Sequence, residues 1–152
     1  KPRTMPAAAK AAATTLRALG GDPTGMQVAD GSGLTRLNLV TPRQLADLLT
    51  GVWRRPKLRA VLLPTLPIAG IDGTLAGRFA QGPARGQVRA KTGYISRVVA
   101  LSGFVPKPAK GGSDDPLVFS ILLNNFTCPT TQAKGAVDRF VHALAAHAGH
   151  RD

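Results

Sequence analysis

"VRAKTGYISRVVALSGFV", Val88 to Val105, holds two runs of strand length joined by a short polar link. The second, residues 98–105, is apolar at both alternating positions, which predicts a central strand covered on two sides. The first, "GQVRAKT" over residues 86–92, places Gln87, Arg89 and Lys91 on one face and Val88 and Ala90 on the other. A half-polar strand of this kind suits the lip of a cleft. It ends on Lys91-Thr92-Gly93, and two readings of that tripeptide stand. In one, Gly93 makes a turn and Lys91 is simply solvated. In the other, a fixed ammonium, a hydroxyl and a backbone free of side chain form one wall of a site that grips a carboxylate.

Outward from this stretch, "LVFSILL" within residues 117–124 is again apolar on both faces and predicts a further central strand. The linker "PKPAKGGSDDP" between the last two strands reads as a mobile hairpin loop joining antiparallel neighbours. The chain then closes on "PTTQAKGAVDRFVHALAAHAG". Ala133, Val137, Phe140, Val141, Leu144 and Ala148 fall at helical spacing there, and Gly149 can end the helix. That apolar face should pack on the sheet.

The first half predicts helices. "PAAAKAAATTLRALG" opens with Pro6, is carried by alanine propensity and can stop at Gly20. A turn-rich connection leads to "TPRQLADLLTGVW", where Thr41 can cap, Pro42 takes the first helical position, and Leu45, Leu48, Leu49, Val52 and Trp53 share a face. A short third helix runs from Pro56 to about Leu63. Pro64, Pro67, Gly70 and Gly73 then hold "LPTLPIAGIDGTLAGRF" as a connecting segment. Three antiparallel strands flanked by helices make an α+β arrangement, with 1–152 read as part of a single domain.

Composition bounds the function. The 152 residues are 43% hydrophobic, enough for a core, and contain no apolar run long enough to span a membrane. The start "KPRTMPAAAK" lacks the apolar stretch of a signal peptide. Twenty Lys and Arg against eight Asp and Glu give a net charge of +12, which favours anionic partners. Nucleic acid is the usual candidate. However, the cations are scattered from Lys1 to Arg151, aromatics are only 5%, and no helix carries a basic stripe. No nucleic-acid partner is expected, and anionic cell-wall polymer would meet the same surface. The single Cys128 excludes an intrachain disulfide.

Several chemistries drop out. "DGSGL" resembles a nucleophile elbow, but Asp30 stands where that pattern needs glycine, so Ser32 is read as a turn residue. His142, His147 and His150 lack acidic partners at ligand spacing and are read as surface histidines, with no metal site. Cys128 has no basic activator beside it and is read as structural.

Lys91-Thr92-Gly93 remains. K-T-G is the third of three elements in penicillin-recognising enzymes, after S-x-x-K and S-x-N. The order "ADGSGLTRLNLVTPRQLADLL", "LPIAGIDGTLAGRF", "VRAKTGYISRVVALSGFV", "LVFSILLNNF" resembles the C-terminal part of the D-alanyl-D-alanine carboxypeptidase/endopeptidase family, the low-molecular-mass class C penicillin-binding proteins. The resemblance runs from about Asp30 to the last helix.

It implies a transpeptidase-like fold of the serine β-lactamase kind, a five-stranded antiparallel sheet with helices on both sides, two of whose strands would come from earlier in the chain. It further implies an exported serine peptidase, periplasmic or cell-wall-associated, that acts on peptidoglycan stem peptides and binds β-lactams without a cofactor. By resemblance Lys91 assists catalysis and binds substrate with Thr92 and Gly93, Thr92 meets the substrate's terminal carboxylate, and the Tyr94 backbone N–H serves the oxyanion hole.

Two departures qualify this. No serine here is followed three residues on by lysine or two residues on by asparagine, so the nucleophile is expected outside this chain, upstream of Lys1, and the isolated chain is expected to be inactive. Tyr94 stands where the family usually has a small hydroxyl residue. A catalytically silent peptidoglycan binder and a basic nucleic-acid binder are the rival readings.

Overall fold

The computed structural model describes residues 5–107 and 115–149. The chain divides into two compact units, one ending at Arg59 and the other beginning at Ala60. No helix among the described residues is long and apolar enough to cross a membrane.

The first unit holds α1 (Met5–Ala18) and α2 (Pro42–Trp53), with Leu16, Leu49 and Val52 buried. The start of α2 is fixed as its residues predict. The Gln44 N–H donates to the Thr41 hydroxyl at 3.1 Å, the Thr41 N–H donates to the Gln44 side chain at 2.9 Å, and Pro42 opens the helix. The buried Gln44 amide also donates to the carbonyls of Asp22 and Thr24, each at 2.9 Å, so the cap holds the preceding loop. A Cβ on Gly51 would lie 2.2 Å from the Leu19 carbonyl oxygen, and only glycine allows that approach. Ser32 is a turn residue as expected, donating to the Asp30 carboxylate at 2.9 Å and accepting from the Leu34 N–H at 3.2 Å. Partial burial pushes the Asp30 carboxyl upward, but hydrogen bonds from Ser32, Asn38 and Gly33 outweigh it and hold the group below the usual aspartate value.

After α3 (Pro56–Leu62), the second unit carries 3-10 turns at Leu63–Thr65 and Gly73–Leu75. Then come β1 (Arg89–Ile95), β2 (Val98–Val105), β3 (Leu117–Asn124) and α4 (Thr130–Gly149). The sheet is antiparallel in the order β1-β2-β3. β2 is central, as expected; β3 is an edge of the described sheet, with only Phe119 buried, so the expectation of two central strands holds for one. Leu117, Phe119, Ile121 and Leu123 serve the face that α4 covers, and Val118 and Leu122 lie on the other. Earlier in the chain the described residues add no further strand, only isolated bridges at Gln27–Leu39 and Ile68–Arg89. The hairpin loop expected between β2 and β3 falls largely on residues 108–114, which lie outside the described residues.

The register assigns the faces. Ala90 opposes Gly103, Thr92 opposes Leu101 and Tyr94 opposes Val99. Val88, Ala90, Val99, Leu101, Val105 and Phe119 pack with Ala133, Val137, Val141, Ala145 and Ala148 of α4 in one core. Phe140, expected on that face, is 55% exposed. The buried row 133-137-141-145 advances in steps of four, and Phe140 falls on its flank. His142 also departs from expectation: it is half-buried, its Nδ1 accepts from the Ala84 N–H at 3.4 Å, and its ring meets Phe79 edge-on at 5.2 Å. His147 is exposed, as expected, and His150 lies outside the described residues. Cys128 packs against the core, in keeping with a structural role.

Candidate active site

Lys91-Thr92-Gly93 lies inside β1 rather than at its end. Pairing continues through Gly93–Ala100 and Tyr94–Val99 to Ile95–Val98, and Ser96-Arg97 makes the turn. The boundary expected at residue 92 rested on Gly93 as a breaker. In fact the glycine suits a tight sheet: a Cβ there would come within 3.1 Å of the Ala100 Cβ. Arg97 accepts the turn's cost with φ of 60°, and its guanidinium donates to the Phe126 and Asn125 carbonyls at 3.2 and 3.4 Å.

The edge of β1 away from β2 is covered over only part of its length. The Ala69 N–H donates to the Val88 carbonyl at 2.9 Å, and the Ala90 N–H donates to the Pro67 carbonyl at 3.0 Å. Ala90 therefore points its backbone groups outward. Strand alternation gives Thr92 and Tyr94 the same orientation, so their N–H and C=O groups face the uncovered edge. That edge is a row of backbone donors and acceptors suited to an extended peptide.

The side chains gather at the same edge. Lys91 leaves β1 on the face of Ser102 and Ser120, whose hydroxyls lie 2.9 Å apart, while Thr92 leaves on the α4 face. The exposed Lys91 nonetheless curls back, its Nζ donating to the Thr92 carbonyl at 2.8 Å. The Thr92 hydroxyl donates to the Thr74 hydroxyl at 2.9 Å. Strand alternation thus separates the two stems, while the Lys91 ammonium still reaches the backbone of Thr92. The Tyr94 ring, 56% exposed, lies under the ammonium of Lys134 from α4 at 5.1 Å. Beyond it an open groove of about 470 Å³ is bounded by Tyr94, Arg97, Phe126, Cys128 and Thr130 among others.

Thr74 and Lys134 were not legible as site residues. "GIDGTL" signals a turn, but nothing in linear spacing says that this turn meets residue 92. Among the described residues no group of His, Cys, Asp and Glu could hold a metal. Gathered cations, hydroxyls and an open strand edge are a set that can bind a peptide with a terminal carboxylate.

Comparison with known proteins gives concordant results. Residues 1–146 match the model of the D-Ala-D-Ala carboxypeptidase 3 (S13) family. A D-alanyl-D-alanine carboxypeptidase of Actinomadura sp. (strain R39) is 40% identical over 141 residues, which is 90% of this chain and 25% of that protein. The crystal structure of penicillin binding protein 4 (dacB) from Haemophilus influenzae superposes with a TM-score of 0.77 at 27% identity, over 97% of this chain and 32% of that one. A second structure of that protein, complexed with a novel beta-lactam, gives a TM-score of 0.76 at 26% identity, over 96% and 34% of the respective chains. The chain spans about a quarter to a third of the length of these relatives.

Proposed function

Because the chain belongs to the D-Ala-D-Ala carboxypeptidase 3 (S13) family, we propose that it forms the C-terminal portion of a transpeptidase-like, penicillin-binding domain and supplies the K-T-G wall of a serine D-Ala-D-Ala peptidase site. The observation that carries this reading is the uncovered outer edge of β1, where the Lys91 ammonium meets the Thr92 carbonyl, the Thr92 hydroxyl meets Thr74, and the backbone of Tyr94 faces outward.

In this reading a stem peptide ending in D-Ala-D-Ala lies along β1. Thr92 donates to its terminal carboxylate, and Gly93 leaves room for its backbone. A serine outside this chain, activated by its own lysine, attacks the carbonyl carbon of the scissile bond. The Tyr94 N–H helps hold the oxyanion that forms. The amide nitrogen leaves with a proton, and water then attacks the acyl-serine ester and returns the serine. Lys91 contributes positive charge at the edge and assists proton handling. A β-lactam presents its ring amide and carboxylate to the same groups, and its acyl-enzyme persists. The substrate places the protein outside the cytoplasm, in the periplasm or at the cell wall, where a +12 surface also meets anionic wall polymer.

The test is covalent labelling. A fluorescent penicillin should modify the full-length protein stoichiometrically and leave the isolated 152-residue chain unmodified. Labelling of the isolated chain would overturn the assignment of the nucleophile to another part of the polypeptide. A full-length protein that binds peptidoglycan but takes no label would be a silent relative.

A further inference from the structure

We propose that Thr74 is a positioning residue for carboxylate recognition, holding the Thr92 hydroxyl in the orientation that donates to the substrate. The inference rests on the reading of Thr92 as the group that meets the terminal carboxylate.

A threonine hydroxyl has one O–H to give and two lone pairs to receive. Without ligand, Thr92 gives its O–H to Thr74 at 2.9 Å. A carboxylate can only accept, so when one arrives at the open edge the Thr92 O–H must turn to it. The same pair of oxygens then works in reverse: Thr74 donates its own O–H to the Thr92 oxygen, and no heavy atom has to move. Thr92 ends with one bond received and one given, and each polarises the other. Without Thr74 the Thr92 hydroxyl would be a free rotor facing water.

The turn that presents Thr74 is built to stay in place. Leu75, next in sequence, is fully buried in the core. Its N–H donates to the Asp72 carbonyl at 3.2 Å, and its carbonyl accepts from the Gly70 N–H at 3.1 Å. The Asp72 carboxylate in turn accepts the Ile68 N–H at 2.6 Å. Ile68 lies between Pro67 and Ala69, the residues that pair with β1, so the turn and the strand are registered by the same short segment. Thr74 itself is exposed, as a group working at the rim must be.

The experiment uses the full-length protein and paired acyl donors that differ only in a terminal carboxylate or carboxamide. Acylation rates are measured for wild type, Thr74→Val, Thr74→Ala, Thr74→Ser, Thr92→Val and the double variant Thr74→Val/Thr92→Val. Thr74→Val and Thr74→Ala should each lower the carboxylate-over-carboxamide ratio by about 3–10-fold, the loss of one hydrogen bond. Thr74→Ser should restore the ratio, and the double variant should match Thr92→Val alone. An unchanged ratio in Thr74→Val, an equal fall for both donors, or full additivity in the double variant would overturn the inference while leaving Thr92 in place. A wild-type protein that takes both donors equally well would overturn the carboxylate reading itself, and this inference with it.

Discussion

Lys91 and Thr92 leave β1 on opposite faces of the sheet, yet the Lys91 ammonium lies 2.8 Å from the Thr92 carbonyl oxygen. The contact is possible because that carbonyl points outward, to the edge that Pro67–Ala69 leaves uncovered beyond Ala90. A long, flexible lysine stem wraps around the strand, while the short threonine reaches the edge directly. Adjacent residues can therefore serve one ligand from two sides, with separable roles.

Lys91→Ala removes charge from the reacting edge and leaves the strand paired. If the proposed site is right, acylation of the full-length protein by penicillin and by peptide should fall together, by about 10²–10³, as when one preorganised stabilising group is lost. Stopped-flow acylation rates check this, with a thermal melt to confirm folding. Wild-type rates in the variant would make β1 only a strand.

At Tyr94 the backbone and the side chain can be tested apart. Tyr94→Phe keeps the N–H and a ring that can still accept the Lys134 ammonium, so acylation should change by less than about 3-fold. Tyr94→Pro deletes the outward N–H and should abolish acylation. A large loss in Tyr94→Phe would instead assign the phenol hydroxyl a role.

Gly103 controls how closely β1 and β2 approach. A Cβ there would lie 2.1 Å from the Arg89 carbonyl oxygen and 2.6 Å from the Ala90 Cα, both backbone atoms that cannot move aside alone. Gly103→Ala should destabilise the protein by about 1–3 kcal/mol or more, the usual range for overpacking. Urea denaturation measures it. A midpoint unchanged from wild type would show that β1 shifts without cost.

If the +12 balance serves adhesion to anionic wall polymer, retention on isolated cell walls should drop steeply between low and physiological salt, as screening shortens to about 8 Å. Co-sedimentation across a salt series measures it. Salt-insensitive retention would make the charge incidental, and stronger binding to duplex DNA at matched ionic strength would contradict the cell-wall assignment.

Periodicity and punctuation were enough to locate the four helices, the three strand segments and the Thr41 cap, because each is local. An alternating pattern records which side of a strand is apolar, and a capping box needs only residues three apart. Tertiary structure decided the rest. β1 continues through Gly93 because β2 pairs with it as far as a two-residue turn, and β3 is an edge because among the described strands only β2 pairs with it. His142 is half-buried because the Phe79–Ala84 segment folds over α4. Thr74 meets Thr92 across eighteen positions because Leu75 is drawn into the core and carries its neighbour to the rim. Linear spacing records the faces of one element, whereas a site edge is made where packing brings two elements together.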